Sequence, residues 1–137
     1  TSKGRNAGFK LGEIYISALS TKTEGFKLLQ DFISNTPKNT TEFQEVENLA
    51  KAYYLLGTYY REKLEYQNAS NNFLLSAQYY ASFNKDLSSR SLYGAVEAFD
   101  CNSNFADSKQ TYLTMKEKFP ESQWTKRAFS LVSEYLD

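Results

Sequence analysis

Residues 50–81 read AKAYYLLGTYYREKLEYQNASNNFLLSAQYYA, and their spacing decides the fold. Tyr53, Leu56, Gly57 and Tyr60 recur at intervals of three and four, and Phe43, Val46 and Leu49 extend that stripe toward the N-terminus. Ala69, Phe73, Ser76 and Tyr80 form a second stripe of the same period. This is the spacing of a buried helix face. Glu65–Asn68, between the stripes, is polar and short, so the two helices must turn back on each other. Gly57 has no side chain to hold a partner away, which predicts the closest helix approach there. The pair is the expected packing unit of the protein.

The same residues resemble one tetratricopeptide repeat, a helix–turn–helix unit of roughly 34 residues. That family places a large residue, Leu-Gly and Tyr on the first helix. An aromatic marks the turn, and Ala, Phe and a small residue follow on the second helix. Here these are Tyr53, Leu56, Gly57, Tyr60, Tyr66, Ala69, Phe73 and Ser76, with Ala81 in place of the closing proline. A second copy superimposes Phe99, Phe105, Ser108, Tyr112 and Met115 on Tyr60, Tyr66, Ala69, Phe73 and Ser76, at a constant offset (99 − 60 and 115 − 76 are both 39). It keeps a closing Pro120 and departs at Val96 and Met115, where the family has small residues, so wider helix packing is expected there. The residues beyond the ideal period are assigned to Asn84–Ser88.

The resemblance implies an all-α array of about seven helices in a single domain. Residues 1–8 read as a loose terminus, 9–37 as a degenerate repeat, 40–83 as the central repeat, 86–120 as the second clear repeat and 122–137 as a capping helix. In the degenerate repeat, Leu11, Ile14, Tyr15, Ala18 and Leu19 are the apolar positions of a first helix. Thr23 is the expected N-cap of a second helix, which carries Phe26, Leu28, Leu29, Phe32 and Ile33 and ends at Asn35-Thr36-Pro37. Asn39 with Glu42 reads as a capping pair for the central helix. Ser122 is the expected cap of the last helix, whose buried face is Trp124, Ala128, Phe129, Val132 and Leu136.

The 16 basic and 16 acidic residues cancel. A neutral chain lacks the basic excess that nucleic acid or an anionic membrane rewards. No apolar run approaches the roughly 20 residues that span a bilayer. The chain has no His, which removes His-based triads and most zinc sites. Its paired carboxylates, Glu45/Glu47 and Glu97/Asp100, read as solvated helix faces. The single cysteine, Cys101, stands beside Asp100, an environment that raises a thiol pKa. No enzymatic site and no cofactor are expected. The chain does not open on Met, which leaves a preceding targeting segment open.

In the resembled family the first helix of each repeat lines a concave groove. The matching positions are Lys51, Tyr54, Thr58 and Arg61, then Arg90, Tyr93, Glu97 and Asp100. Tyr54 and Tyr93 are the expected groove anchors, or else pack against a neighbouring helix. Lys116, Lys118, Lys126 and Arg127 form a second candidate patch. The implied function is a non-catalytic scaffold that binds another protein. FPESQWTKRAFSLV (residues 119–132) also resembles repeats of bacterial envelope proteins, including outer-membrane assembly lipoproteins, which implies the periplasm or a membrane anchor outside this segment, with the cytoplasm as the alternative. The alternative is an RNA-binding helical repeat. Zero net charge and two acids in the groove weigh against it, and nucleic acid is not an expected partner.

Overall fold

The computed structural model describes residues 1–136. Seven helices follow one another: α1 (Ser2–Ile16), α2 (Lys22–Asn35), α3 (Phe43–Glu62), α4 (Tyr66–Tyr80), α5 (Lys85–Cys101), α6 (Phe105–Lys118) and α7 (Gln123–Val132). Short 3-10 turns cover Leu19–Thr21 and Ser133–Tyr135, and there is no strand among the described residues. Each helix packs on the next. In addition α1 touches α3, α3 touches α5 and α5 touches α7, while the even-numbered helices make no comparable contacts with one another. A stack that is closed on one side and splayed on the other is curved. The odd helices therefore line its inner face. This is the all-α repeat array that the periodicity predicts.

The repeat is visible in the backbone. Leu64 (φ 62°) and Ser103 (φ 59°) are the two non-glycine residues with positive φ among the described residues, and 103 − 64 is again 39. Glu65 N–H donates to Tyr60 O (2.9 Å) and Asn104 N–H to Phe99 O (2.8 Å), closing the two helix ends in the same way. Both residues occupy a conformation that suits glycine. Leu64 is 69% exposed and has little packing to lose. Leu64→Gly should stabilise the protein by about 0.5–1 kcal/mol, read from the urea midpoint. A lower midpoint would mean that the Leu64 side chain contributes contacts that outweigh its strain.

At the centre of the fold lies the ring of Phe73 on α4, fully buried. A Cβ built on Gly57 of α3 would stand 2.8 Å from this ring, and one on Gly94 of α5 would stand 2.9 Å from it. Glycines of two helices thus border one phenyl ring. Around it buried hydroxyls cross the helix seams. Ser76 Oγ donates to Ala50 O (2.7 Å) and lies 3.0 Å from Ser91 Oγ. Ser88 Oγ donates to Ala77 O (2.8 Å) and Ser108 Oγ to Val96 O (3.1 Å). Each seam satisfies a polar group that burial would otherwise penalise.

Several expectations are corrected. Residues 1–8 are not loose: α1 begins at Ser2, capped by Thr1, whose Oγ1 accepts from Gly4 N–H. Long-range partners hold this turn. Arg5 Nε donates to Glu45 Oε2 (2.7 Å) and Asn48 Nδ2 to Asn6 Oδ1 (3.0 Å). The buried face of α1 is Phe9, Gly12 and Ile16, whereas Leu11, Ile14 and Leu19 are exposed. Thr21 rather than Thr23 precedes α2, and Glu42 rather than Asn39 caps α3, accepting from Gln44 and Glu45 N–H. Phe43 is exposed beside Phe83. The chain breaks between α4 and α5 over residues 81–84, ending on Asn84, the N-cap of α5, which accepts from Leu87 N–H, while residues 85–88 of the additional stretch are helix. Val96 is fully buried; the glycine of α5 stands two residues earlier, at Gly94, and serves α4. In α7 Thr125 is buried and Phe129 exposed. The closing helix, read over 122–137, ends at Val132, and Asp137 lies outside the described residues.

Glu45 ties α3 to α1. The Arg5 hydrogen bond holds its carboxyl below the ordinary value of 4.5, against the opposing effect of burial. A depressed carboxylate stabilises the fold fully above that pH, and its contribution is lost as pH falls through the lowered value. The melting temperature should therefore fall more steeply between roughly pH 5 and 3 in the native chain than in Glu45→Gln. Equal slopes would show that the pair does not survive in solution. At neutral pH Glu45→Ala should cost about 2 kcal/mol, less than a fully buried pair because Arg5 is partly exposed.

Candidate functional site

The inner face is built from α1, α3, α5 and α7. Lys51 and Tyr54 project from α3 and Arg90 from α5 into one cavity of about 340 Å3, together with Glu13, Leu55, Tyr80 and Leu87. The Arg90 guanidinium carbon lies 4.0 Å from the Tyr54 ring centroid, a cation–π contact. Tyr54 also meets the Phe73 ring edge-on, with centroids 5.5 Å apart.

One step along the face, Arg61 Nη1 donates to Glu97 Oε1 at 3.0 Å, bridging α3 and α5. Each partner is about one-third exposed. Such a pair is worth little in stability, of order 1 kcal/mol or less, but it neutralises both groups. Next comes Tyr93, whose ring lies 5.6 Å from that of Trp124 on α7, with Arg127 4.8 Å from the Trp124 centroid. Burial raises the Tyr93 hydroxyl pKa, followed by the nearby Glu97. Asp100 accepts a hydrogen bond from Tyr135 O–H (2.7 Å).

The structure thus gathers Lys51, Tyr54 and Arg90, and separately Arg61 with Glu97 and Tyr93 with Trp124. Thr58 is turned elsewhere. Its Oγ1 donates to Tyr54 O (3.1 Å), and it lines a different cavity beside Ile16, Lys22 and Glu62. Tyr54 and Tyr93 are half-buried and packed on their neighbours, so they are not the freely exposed pair that a groove anchor implies. Arg90 faces Tyr54 and Glu97 faces Arg61, each 36 residues on. Equivalent residues in the two copies are 39 apart. Facing residues are therefore one helical turn away from equivalent ones, and Tyr54 meets Arg90 rather than Tyr93.

Glu13, Leu87 and Trp124 belong to this face and Tyr80 of α4 closes the cavity behind it, and none of them is a groove residue by the sequence reading. Glu13 and Trp124 sit on α1 and α7, where the copies are degraded and no offset can be carried across. Tyr80 was assigned to the core, which is right for its ring, since it is 1% exposed. Cys101 is exposed at the end of α5, and burial of its sulfur, then Glu97 and Asp100, pushes its thiol pKa up. No group of three or more metal-ligating side chains occurs among the described residues, and no described helix is long and apolar enough to cross a membrane.

No family model matches the chain, and no curated protein or solved structure matches it.

Proposed function

We propose that this chain is a non-catalytic scaffold that holds another protein against its inner face, in the manner of the tetratricopeptide-like proteins it resembles, within a bacterial envelope complex. The observation that carries the reading is the curved face itself. It presents Lys51, Tyr54 and Arg90 around an open cavity, flanked by Tyr93 and Trp124. Tyr, Trp and Arg are the residue types that dominate binding hot spots. The chemistry-bearing groups of the face are already engaged: Glu97 by Arg61, Asp100 by Tyr135. Cys101 carries a thiol whose pKa is raised, which suits a bystander better than a nucleophile.

The test is photo-crosslinking. Benzoylphenylalanine replaces Lys51 on the inner face or Lys109 on α6, and the protein is incubated with native extract. The reading expects a discrete cross-linked protein from position 51 and none from position 109. Cross-links confined to position 109 would move the binding surface to the outer layer and overturn it. Tyr54→Ala and Tyr93→Ala are poor probes of binding alone. Both rings are packed, so the double variant should lose stability as well as affinity.

A further inference from the structure

We propose that the cavity shared by α1, α3 and α5 receives the side-chain carboxylate of an Asp or Glu within an otherwise apolar partner segment, with Arg90 as its principal ligand. This rests on the protein-binding reading above and adds which chemistry is recognised.

Four ion pairs occur among the described residues: Arg5–Glu45, Lys10–Glu13, Lys22–Glu62 and Arg61–Glu97. Arg90 and Lys51 are in none of them, yet both line the same cavity of about 340 Å3. Arg61 is spent on Glu97, so an incoming acid goes to Arg90. The Arg90 guanidinium lies against the Tyr54 ring at 4.0 Å. The contact pins the guanidinium against the ring, and its N–H groups make no hydrogen bond to the described residues, so they remain to donate to a carboxylate. Its Nε is buried and makes no hydrogen bond within the chain, which marks a side chain held in place by packing rather than by an acid of its own. Leu55, Leu87 and the rings of Tyr54 and Tyr80 supply the remaining wall, a surface for apolar neighbours of the acid. Glu13 stands on the same cavity. With Lys10 Nζ 3.5 Å from its carboxylate, Glu13 leaves Arg90 and Lys51 as an excess of positive charge on the cavity, which favours an acidic side chain over a neutral one.

The probes are three mixtures of acetylated, amidated hexapeptides. The central position is fixed as Glu, Gln or phosphoserine, and Leu, Ala, Phe and Ser are randomised around it. Binding is read by NMR titration of the full chain, with the Arg90 Nε–H signal assigned by its loss in Arg90→Lys. The Glu mixture should shift that signal and bind roughly tenfold or more tighter than the Gln mixture. Arg90→Gln should abolish the difference, and Lys51→Gln should shrink it several-fold. If Arg90→Gln fails to fold, Lys51→Gln carries the test. Equal binding of the Glu and Gln mixtures would overturn the acid site and leave the scaffold reading standing. Tighter binding of phosphoserine would overturn the choice of carboxylate. No binding by any mixture would overturn the site, while the cross-linking experiment decides the scaffold reading separately.

Discussion

Gly25→Ala should be among the most damaging single substitutions in the chain, lowering stability by about 3–5 kcal/mol. A Cβ at that position would lie 2.2 Å from Ile16 N, 2.6 Å from Ile16 Cα and 2.7 Å from the Tyr15 carbonyl carbon. All three atoms are backbone, so no side-chain rotamer relieves the clash. The end of α1 would have to move off the start of α2, opening the seam that buries Phe9, Leu29 and Phe32. Gly8→Ala is the control. Nothing lies within 4 Å of its Cβ position, and a glycine inside an open helix face costs up to about 1 kcal/mol relative to alanine. The same chemical change should therefore stabilise at residue 8 and destabilise at residue 25. Urea titration of the two variants checks both signs. A Gly25→Ala protein that melts like the native chain would mean the first helix pair does not close as described.

The second large effect concerns Phe73. Gly57→Ala and Gly94→Ala should each cost about 2–3 kcal/mol, and Gly57→Leu more. From sequence alone Gly57→Ala is expected to be mild and Gly57→Leu to be damaging. The structure raises the expected cost of alanine, since a Cβ at Gly94 on α5 would lie similarly close to the same ring atoms. A double-mutant cycle with Phe73→Leu tests the contact. Phe73→Leu alone loses buried contacts, but combined with Gly57→Ala it should cost less than the sum by about 1 kcal/mol or more. Additive losses would show that the ring has room.

The helix class, the order of elements and most boundaries from residue 43 onward were legible because the stripes there are long and repeat at a fixed offset. The first repeat was harder. Thr1 caps α1 locally, but Ser2–Gly8 is tied to the rest of the fold through Glu45 and Asn48, roughly forty residues away, and no local pattern announces those partners. The apolar stripe of α1 is hard to read because one of its three buried positions is Gly12, and the α2 residue packed against the end of α1 is Gly25. Gly12 and Gly25 make their contribution by what they lack, and a stripe counted in large residues passes over them. Capping errors have a similar origin. Asn39, Thr40, Thr41 and Glu42 all offer side-chain acceptors, and tertiary contacts decide among them: Thr40 donates to Glu45, leaving Glu42 to cap. Lys51, Tyr54 and Arg90 share one cavity and Arg61 meets Glu97, whereas Thr58 lines another cavity. The partners of the groove residues were not legible, because equivalence between copies was taken for adjacency. Tyr54 and Tyr93 are equivalent, but packing in a curved stack brings Tyr54 to Arg90.

That three-residue difference sets the route of anything laid across the inner face. Three residues of helix are about 4.5 Å of rise, and neighbouring helix axes stand about 8–10 Å apart. A segment that repeats on α5 the contact it makes on α3 must climb by that rise in crossing, so its path runs oblique to the perpendicular between the helices. The face is therefore a ramp with a handedness of its own, and a straight strand laid square across it meets unlike side chains at each step.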